Sequence, residues 1–302
     1  MPSTATALHQ PFLPHGASAF VWKHAPLMGG RRPRHFHAEP ELNMVVCGSA
    51  VFGIGENRVE LSAGELIVFP AGQDHVLLDS SSDLFLFAAG MIPELSQDIL
   101  GRTTSGSVVP TRARLSTERF RAVVHRAEQA VDKIGGEAEC AELWEHAHWA
   151  VRNNGASSSS PHVLTRKVLQ VLVQAPELAL GRLSADMQSS ESEVSRHVHR
   201  DLGITFVRYR TRLRLLNFIQ QVDRGENNWL HCAQEAGFGS YSQAHRAFHA
   251  ELGCTPRAFF SQGRREQMHQ EYSDATPRSA APRLSSGSLS NGSLSNGTVR
   301  PH

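Results

Sequence analysis

The punctuation of the chain changes once, and this change limits the possible folds more than any other feature. From Val45 to Phe87, short runs rich in Val, Ile, Leu and Phe are broken by Gly48, Gly53, Gly55, Gly64 and the Pro70-Ala71-Gly72 turn. Such runs between turn residues are strand-forming text, repeated often enough for a small antiparallel barrel or sandwich. Beyond Ser116 the breakers stop. Arg119 to Lys133 and Glu137 to Arg152 carry Leu, Val, Ala and Trp at helical intervals, so two helices are expected to close the first half.

The next stretch, Asn153 to Ala156 and the serines 157 to 160 ended by Pro161, is too polar and flexible to pack and reads as a linker. A length of 302 residues suits the two domains this implies. From 162 to 270 the text is helical throughout, beginning with the apolar stripe Leu164, Val168, Val171 and Leu172. Here 14 Lys and Arg stand against 10 Asp and Glu, a balance of +4, while the whole chain carries +1 and the remainder therefore −3. The sign favours a polyanionic partner for the second half. After Gln270 the chain turns to Ser, Gly, Asn and Pro, with GSLSN written twice, and disorder is expected there.

Cys47, Cys140, Cys232 and Cys254 lie far apart with no CxxC pair, which argues for reduced thiols rather than a zinc finger or a disulfide frame. No secretory leader or long apolar run is apparent, so a cytoplasmic protein without membrane contact is expected.

Within the helical half one pattern occurs twice. Gly181 to Met187, a Gln188-Ser189-Ser190 turn and Glu191 to Leu202 form the first copy, with Ser190 and Glu193 spaced as a capping box. The second runs from Trp229 to Ala236, through a Gly237 turn, to Ser240–Leu252 with Ala244, Phe248 and Leu252 as its spine. Each reads as a helix-turn-helix. Thr205 to Val222 joins them as an unbroken rod of roughly 25 Å, which would let two recognition helices enter successive major grooves. Arg208, Arg210, Arg212 and Arg214 recur along it at every second residue, as DNA-facing charge or as a solvated, salt-bridged surface.

These residues resemble the AraC/XylS-type transcriptional regulators. Gly237-Phe238-x-Ser240-x-Ser242-x-x-x-Arg246-x-Phe248, then Gly253-x-Thr255-Pro256-x-x-Phe259, is similar to that family's signature over its second helix-turn-helix. Val194-Ser195-Arg196 and Gly203-x-Thr205-x-x-x-Tyr209 are similar to the first, and Arg214-Leu215 to the linking helix. The sequence departs from the pattern at Gln188 for glycine, at Ser184 and Phe218 for small alanines, and at Ala244 for an aromatic. The resemblance implies DNA-reading positions at Ser192, Ser195 and Arg196 in the first unit and Tyr241, Ser242, His245 and Arg246 in the second. The chemistry suits that role, since arginine can grip guanine O6 and N7 while serine and histidine reach base edges or phosphates. Glu191 and Glu193 repel phosphate; capping the helix is their expected use, with acceptance from cytosine N4 the alternative.

In the first half, Gly29-x5-His35-x-His37-x3-Glu41-x6-Gly48 and Gly64-x5-Pro70-x-Gly72-x2-His75 are similar to the two motifs of the cupin superfamily. His35 and His37 alternate by two and face one side of a strand, and Glu41 lies an even number of residues farther on. With His75 they make a three-His, one-carboxylate set suited to Zn, Fe, Mn, Ni or Cu, or else a polar lining of an effector pocket with Val46, Phe52, Ile54 and Phe69.

The expected fold is therefore α+β: an N-terminal cupin β-barrel followed by an all-α domain with two helix-turn-helix units joined by a long helix. Residues 1–152 are assigned to a cupin-like effector-binding and dimerisation domain, 153–161 to the linker, 162–270 to the DNA-binding domain and 271–302 to the tail. The function implied is a sequence-specific regulator, not an enzyme, that binds double-stranded promoter DNA as a homodimer, answers to a small-molecule effector and has RNA polymerase as a further partner. A metal-dependent cupin enzyme of dioxygenase or isomerase type, with the helices as accessory, is the alternative. A nucleoid-like binder whose cupin serves only dimerisation is the third.

Overall fold

The computed structural model describes residues 7–25, 33–96, 109–154 and 161–261; Gly29, the serines 157–160 and the tail after Gln270 lie outside them. Ten strands are present among the described residues: β1 (Leu8–His9), β2 (Ala19–His24), β3 (His35–Phe36), β4 (Glu41–Cys47), β5 (Ser49–Ile54), β6 (Asn57–Ser62), β7 (Glu65–Phe69), β8 (His75–Ser80), β9 (Phe85–Met91) and β10 (Thr111–Arg114). They form two five-stranded sheets in the orders β1-β3-β8-β5-β6 and β10-β7-β4-β9-β2.

The expected closed barrel is thus two facing sheets. The turn between β6 and β7 shows why the corner stays open. Its backbone donors reach elsewhere, Ala63 N–H to Gly48 O at 3.1 Å and Gly64 N–H to Val45 O at 2.9 Å, while Gly64 O accepts from Leu115 N. With those groups spent, β6 and β7 diverge into different sheets instead of pairing.

Strands β4 and β7 are covered on both faces, which is why they read as continuous apolar runs. Leu42, Met44, Leu66 and Val68 point to helices α1 (Thr117–Ala130) and α2 (Glu137–Asn154), meeting Val123, Ala127, Leu143 and Trp144. Val45, Ile67 and Phe69 point between the sheets, against Phe52, Ile54, Leu61 and Leu86. Val46 therefore falls on the helix side and not in the interior. Side chains alternate by two, so the inward parity set by Glu41 selects positions 43 and 45.

The helical half contains α3 (Val163–Gln174), α4 (Leu180–Asp186), α5 (Glu191–Leu202), α6 (Phe206–Asp223), α7 (Trp229–Glu235), α8 (Tyr241–Leu252) and α9 (Pro256–Phe260). Helix α6 is the shared spine. Its first half, with Phe206, Tyr209 and Leu213, packs on α3, α4 and α5; its second half, with Leu215, Phe218 and Ile219, packs on α7, α8 and α9. The two units repeat fifty residues apart. Ser190 and Ser240 cap α5 and α8 by accepting from Glu193 N and Gln243 N, and Gly203 and Gly253 end them in the left-handed region at φ 65° and 68°.

The departures noted in the sequence are absorbed locally. Gln188 adopts φ 52° where the second unit has Gly237 at 87°, so the same turn is made with a side chain at a cost of roughly 1–2 kcal/mol. Ser184 is buried and donates to Leu180 O at 2.8 Å, and Phe218 packs edge-on to Phe248 with ring centroids 6.1 Å apart.

Candidate functional site

His35 lies on β3, His37 just beyond it, and Glu41 and His75 open β4 and β8. The register pairs His35 with His75 across β3 and β8. All four side chains are buried, and one ligand atom from each lies within 4.8 Å of the others. Each imidazole is anchored by Nδ1–H to a backbone carbonyl: His35 to Pro33 at 2.8 Å, His37 to Glu39 at 2.7 Å and His75 to Gln73 at 3.1 Å. Such anchoring fixes the tautomer that leaves Nε2 as the inward atom, the usual support of metal-binding histidines.

The Nε2 atoms of His37 and His75 stand 2.9 and 3.0 Å from the same oxygen, Glu41 Oε2, an arrangement that requires a proton or a cation between them. Burial pushes the Glu41 carboxyl up, but the charges and hydrogen bonds of His75 and His37 outweigh it and hold the group well below the ordinary carboxylate range. Burial likewise opposes protonation of His37, yet Glu41 raises it above the ordinary value. His35 is held well below, by burial first and then by its two histidine neighbours. Asn43 completes the cluster by donating Nδ2–H to Glu41 Oε1 at 2.6 Å; its parity with Glu41 was the available signal for it.

Between His35 and His37, Phe36 points the other way, into the apolar core of the second helix-turn-helix. There the guanidinium of Arg212 sits 4.8 Å from its ring centroid. Arg212 has no exposed surface; it pairs with Asp74, next to His75, and with Glu251 at the end of α8 at 3.0 Å. Arg34, next to His35, pairs with Asp74 at 2.8 Å, and Arg208 with Glu251 at 3.0 Å. Arg210 and Arg214 bind the carbonyls of Leu178, Pro176 and Glu177. Arg208 and Arg212 are thus salt-bridged, as one of the two expectations for this helix had it, with Arg212 fully buried, while Arg210 and Arg214 hold backbone carbonyls from half-buried positions.

A second seam holds α5. Gly203 O accepts from Glu56 N at 2.9 Å, Arg200 O from Asn57 Nδ2 at 2.8 Å and Leu202 O from Gln73 Nε2 at 3.1 Å. The backbones approach so closely that a Cβ on Gly55 would overlap the Gly203 carbonyl, and a Cβ on Gly203 the carbonyl of Ile54. The β-rich half therefore grips α5 directly at its C-terminal end and reaches the end of α8 through Arg212 of α6.

The opposite ends are open. Ser192, Arg196, Ser242 and Arg246 are exposed, and Ser195, Tyr241 and His245 half-buried. Arg196 and Arg246 have no ion pair or hydrogen bond among the described residues. Glu193 is occupied in the cap, its backbone N–H on Ser190 and its carboxylate accepting from Ser189 Oγ.

Comparison with known proteins agrees with this division. A cupin domain is matched over residues 27–84 and a helix-turn-helix domain over 183–262. The chain thus joins a cupin domain to a helix-turn-helix domain. Among solved structures, the chain is similar to unsaturated fatty acid-bound ToxT from Vibrio cholerae, at 11% identity over 81% of this chain and 95% of that one, with a TM-score of 0.44. It is also similar to the AraC-like transcriptional activator CuxR, at 12% identity over 67% and 74% with a TM-score of 0.30. The C-terminal domain of AraT, a response regulator from Geobacillus stearothermophilus, matches at 19% identity over 34% of this chain and 92% of that one, with a TM-score of 0.32. No curated protein matches the sequence. Among the described residues, no helix is long and apolar enough to cross a membrane.

Proposed function

We propose that this chain is an AraC-type transcriptional regulator that reads double-stranded promoter DNA through α5 and α8, as a cytoplasmic homodimer that works with RNA polymerase, and that its cupin half responds to a small molecule. The observation that carries the reading is the division of labour along the recognition helices. The C-terminal end of α5 is held by the cupin and that of α8 by Arg208 and Arg212 of α6, while Ser192, Ser195 and Arg196, and Tyr241, Ser242, His245 and Arg246, lie on the other turns, with neither Arg196 nor Arg246 paired among the described residues.

Selection of bound sites from random DNA tests this, with Arg246→Ala as the decisive variant. On the selected site the variant should lose about 1–3 kcal/mol of affinity and relax preference at one base position. A uniform loss across sequences with a shallower salt dependence would instead assign Arg246 to phosphate. Equal affinity of both proteins on every sequence, with unchanged circular dichroism, would remove it from the interface.

The four-residue cluster fits a divalent metal from Zn, Fe, Mn, Ni or Cu: three imidazoles locked through Nδ1, one carboxylate and a buried position. His35, His37, Glu41 and His75 would hold it, and the ion would supply a fixed positive charge in place of the protons shared between the imidazoles and the Glu41 carboxylate. Elemental analysis of protein purified without chelators or metal resin should find one equivalent, lost in the His35→Ala, His75→Ala double variant. Substoichiometric metal in the unaltered protein would reduce the cluster to hydrogen bonding.

A further inference from the structure

The open corner between the sheets is also a cavity. About 630 Å³ lies between the edge strands β6 and β10, closed on its outer side by residues of the helix-turn-helix half. This volume is within the range of roughly 300–1,000 Å³ usual for small-molecule sites, and domain seams are a preferred location for them. Its floor is apolar, made by Ile54, Val59 and Ile67. Its far wall includes Arg200 and Asp201 from the last turn of α5.

The charges around it are not equivalent. Arg112 is committed to Glu65 through Nε at 3.2 Å and Nη2 at 2.6 Å. Arg200 binds Asp201 at 2.7 Å, and the other oxygen of Asp201 accepts from His162 N at 2.9 Å. Arg58 alone of these arginines has neither ion pair nor hydrogen bond among the described residues, and it borders the cavity beside the apolar floor. Glu60, two residues along the same strand, also borders it and disfavours a ligand with more than one negative charge.

We propose that this cavity binds a small organic acid, its single carboxylate on Arg58 and its apolar body on Ile54, Val59 and Ile67. The site is distinct from the His35, His37, Glu41 and His75 cluster. A ligand there touches both halves at once, so occupancy bears directly on the end of α5, whose terminal carbonyls Asn57 and Gln73 already hold. This last consequence rests on the reading of the chain as a ligand-responsive regulator; binding itself does not.

The test uses the full chain with 13C-labelled isoleucine δ1-methyl groups, assigned by Ile54→Val and Ile67→Val, and three probes: cyclohexanecarboxylate, its neutral amide and inorganic phosphate. The carboxylate should move the Ile54 and Ile67 signals and leave those of Ile134 and Ile219 in place. The amide should need about tenfold more, a difference of about 1.4 kcal/mol. Arg58→Ala should raise the carboxylate Kd about tenfold and leave the amide unchanged. No shift at Ile54 and Ile67, equal binding of acid and amide, or shifts spread over all isoleucines would overturn the proposal; a response to phosphate alone would overturn the carboxylate assignment. DNA affinity measured with and without saturating carboxylate separates the two readings. A severalfold change supports both, whereas methyl shifts with unchanged DNA affinity keep the site and sink the responsive function.

Discussion

Arg212→Met should destabilise the protein by about 3 kcal/mol in equilibrium unfolding, at the lower end of the 3–5 kcal/mol expected when one partner of a buried ion network is removed. The side chain has no exposed surface and faces two carboxylates, Asp74 and Glu251, so its loss leaves both buried with less compensation. Arg34 and Arg208 remain on those carboxylates and cushion the effect. Adding Asp74→Asn should recover part of the loss, because one uncompensated charge goes with it. The network also sets an acid limit. Burial alone would push Asp74 up, but Arg212 and Arg34 hold it below the ordinary carboxylate range. Its contribution is therefore complete above the unfolded-state value near pH 4 and is lost as pH falls through the lower folded value. A loss below about 1 kcal/mol for Arg212→Met, or one independent of Asp74, would show that the network does not hold the two halves together.

The two helix-ending glycines give the second large effect and its own control. Gly203 and Gly253 share φ and ψ, but a Cβ on Gly253 meets nothing within 4 Å while one on Gly203 strikes the backbone of Ile54, Glu56 and Asn57. Gly253→Ala should therefore cost only the left-handed strain, about 1–2 kcal/mol. Gly203→Ala should cost that and the three hydrogen bonds of the seam, at about 0.5–1.5 kcal/mol each, for a total of roughly 3–5 kcal/mol. Hydrogen exchange should report the same difference locally: faster exchange at the Glu56 amide in Gly203→Ala, unchanged in Gly253→Ala. Equal effects of the two substitutions would mean that the close approach at Gly55 contributes nothing.

Most of the helical half was legible before any coordinates. Serine caps, a positive-φ glycine and an apolar spine are local signals, and they recur at the same offset in both units. The metal-type cluster was legible for a similar reason, since strand alternation places His35, His37 and Glu41 on one side and a register pair supplies His75. Val46 shows where the same rule was not carried through, because Glu41 parity excludes it from the interior and admits Asn43. The barrel closure failed for a different cause: whether β6 pairs with β7 depends on what else the Ala63-Gly64 backbone can bond, and Gly48, Val45 and Leu115 are distant in sequence from it or folded onto it only in three dimensions. Arg212 was unreadable as a bridge. It is one of four evenly spaced arginines, and only tertiary structure places Asp74 and Glu251 against it and not against its neighbours.

Three adjacent residues, Gln73, Asp74 and His75, serve three separate partners: the end of α5, the centre of α6 and the buried carboxylate of Glu41. Because neighbouring side chains in extended chain face opposite ways, adding or removing one residue between Pro70 and His75 would send each of them to the wrong side together. This turn should then behave as a ruler of fixed length. Among natural sequences that join these two kinds of domain in the same docked arrangement, insertions and deletions should accumulate at the β8–β9 turn around the exposed Ser82 and Asp83 and be absent from residues 70 to 75.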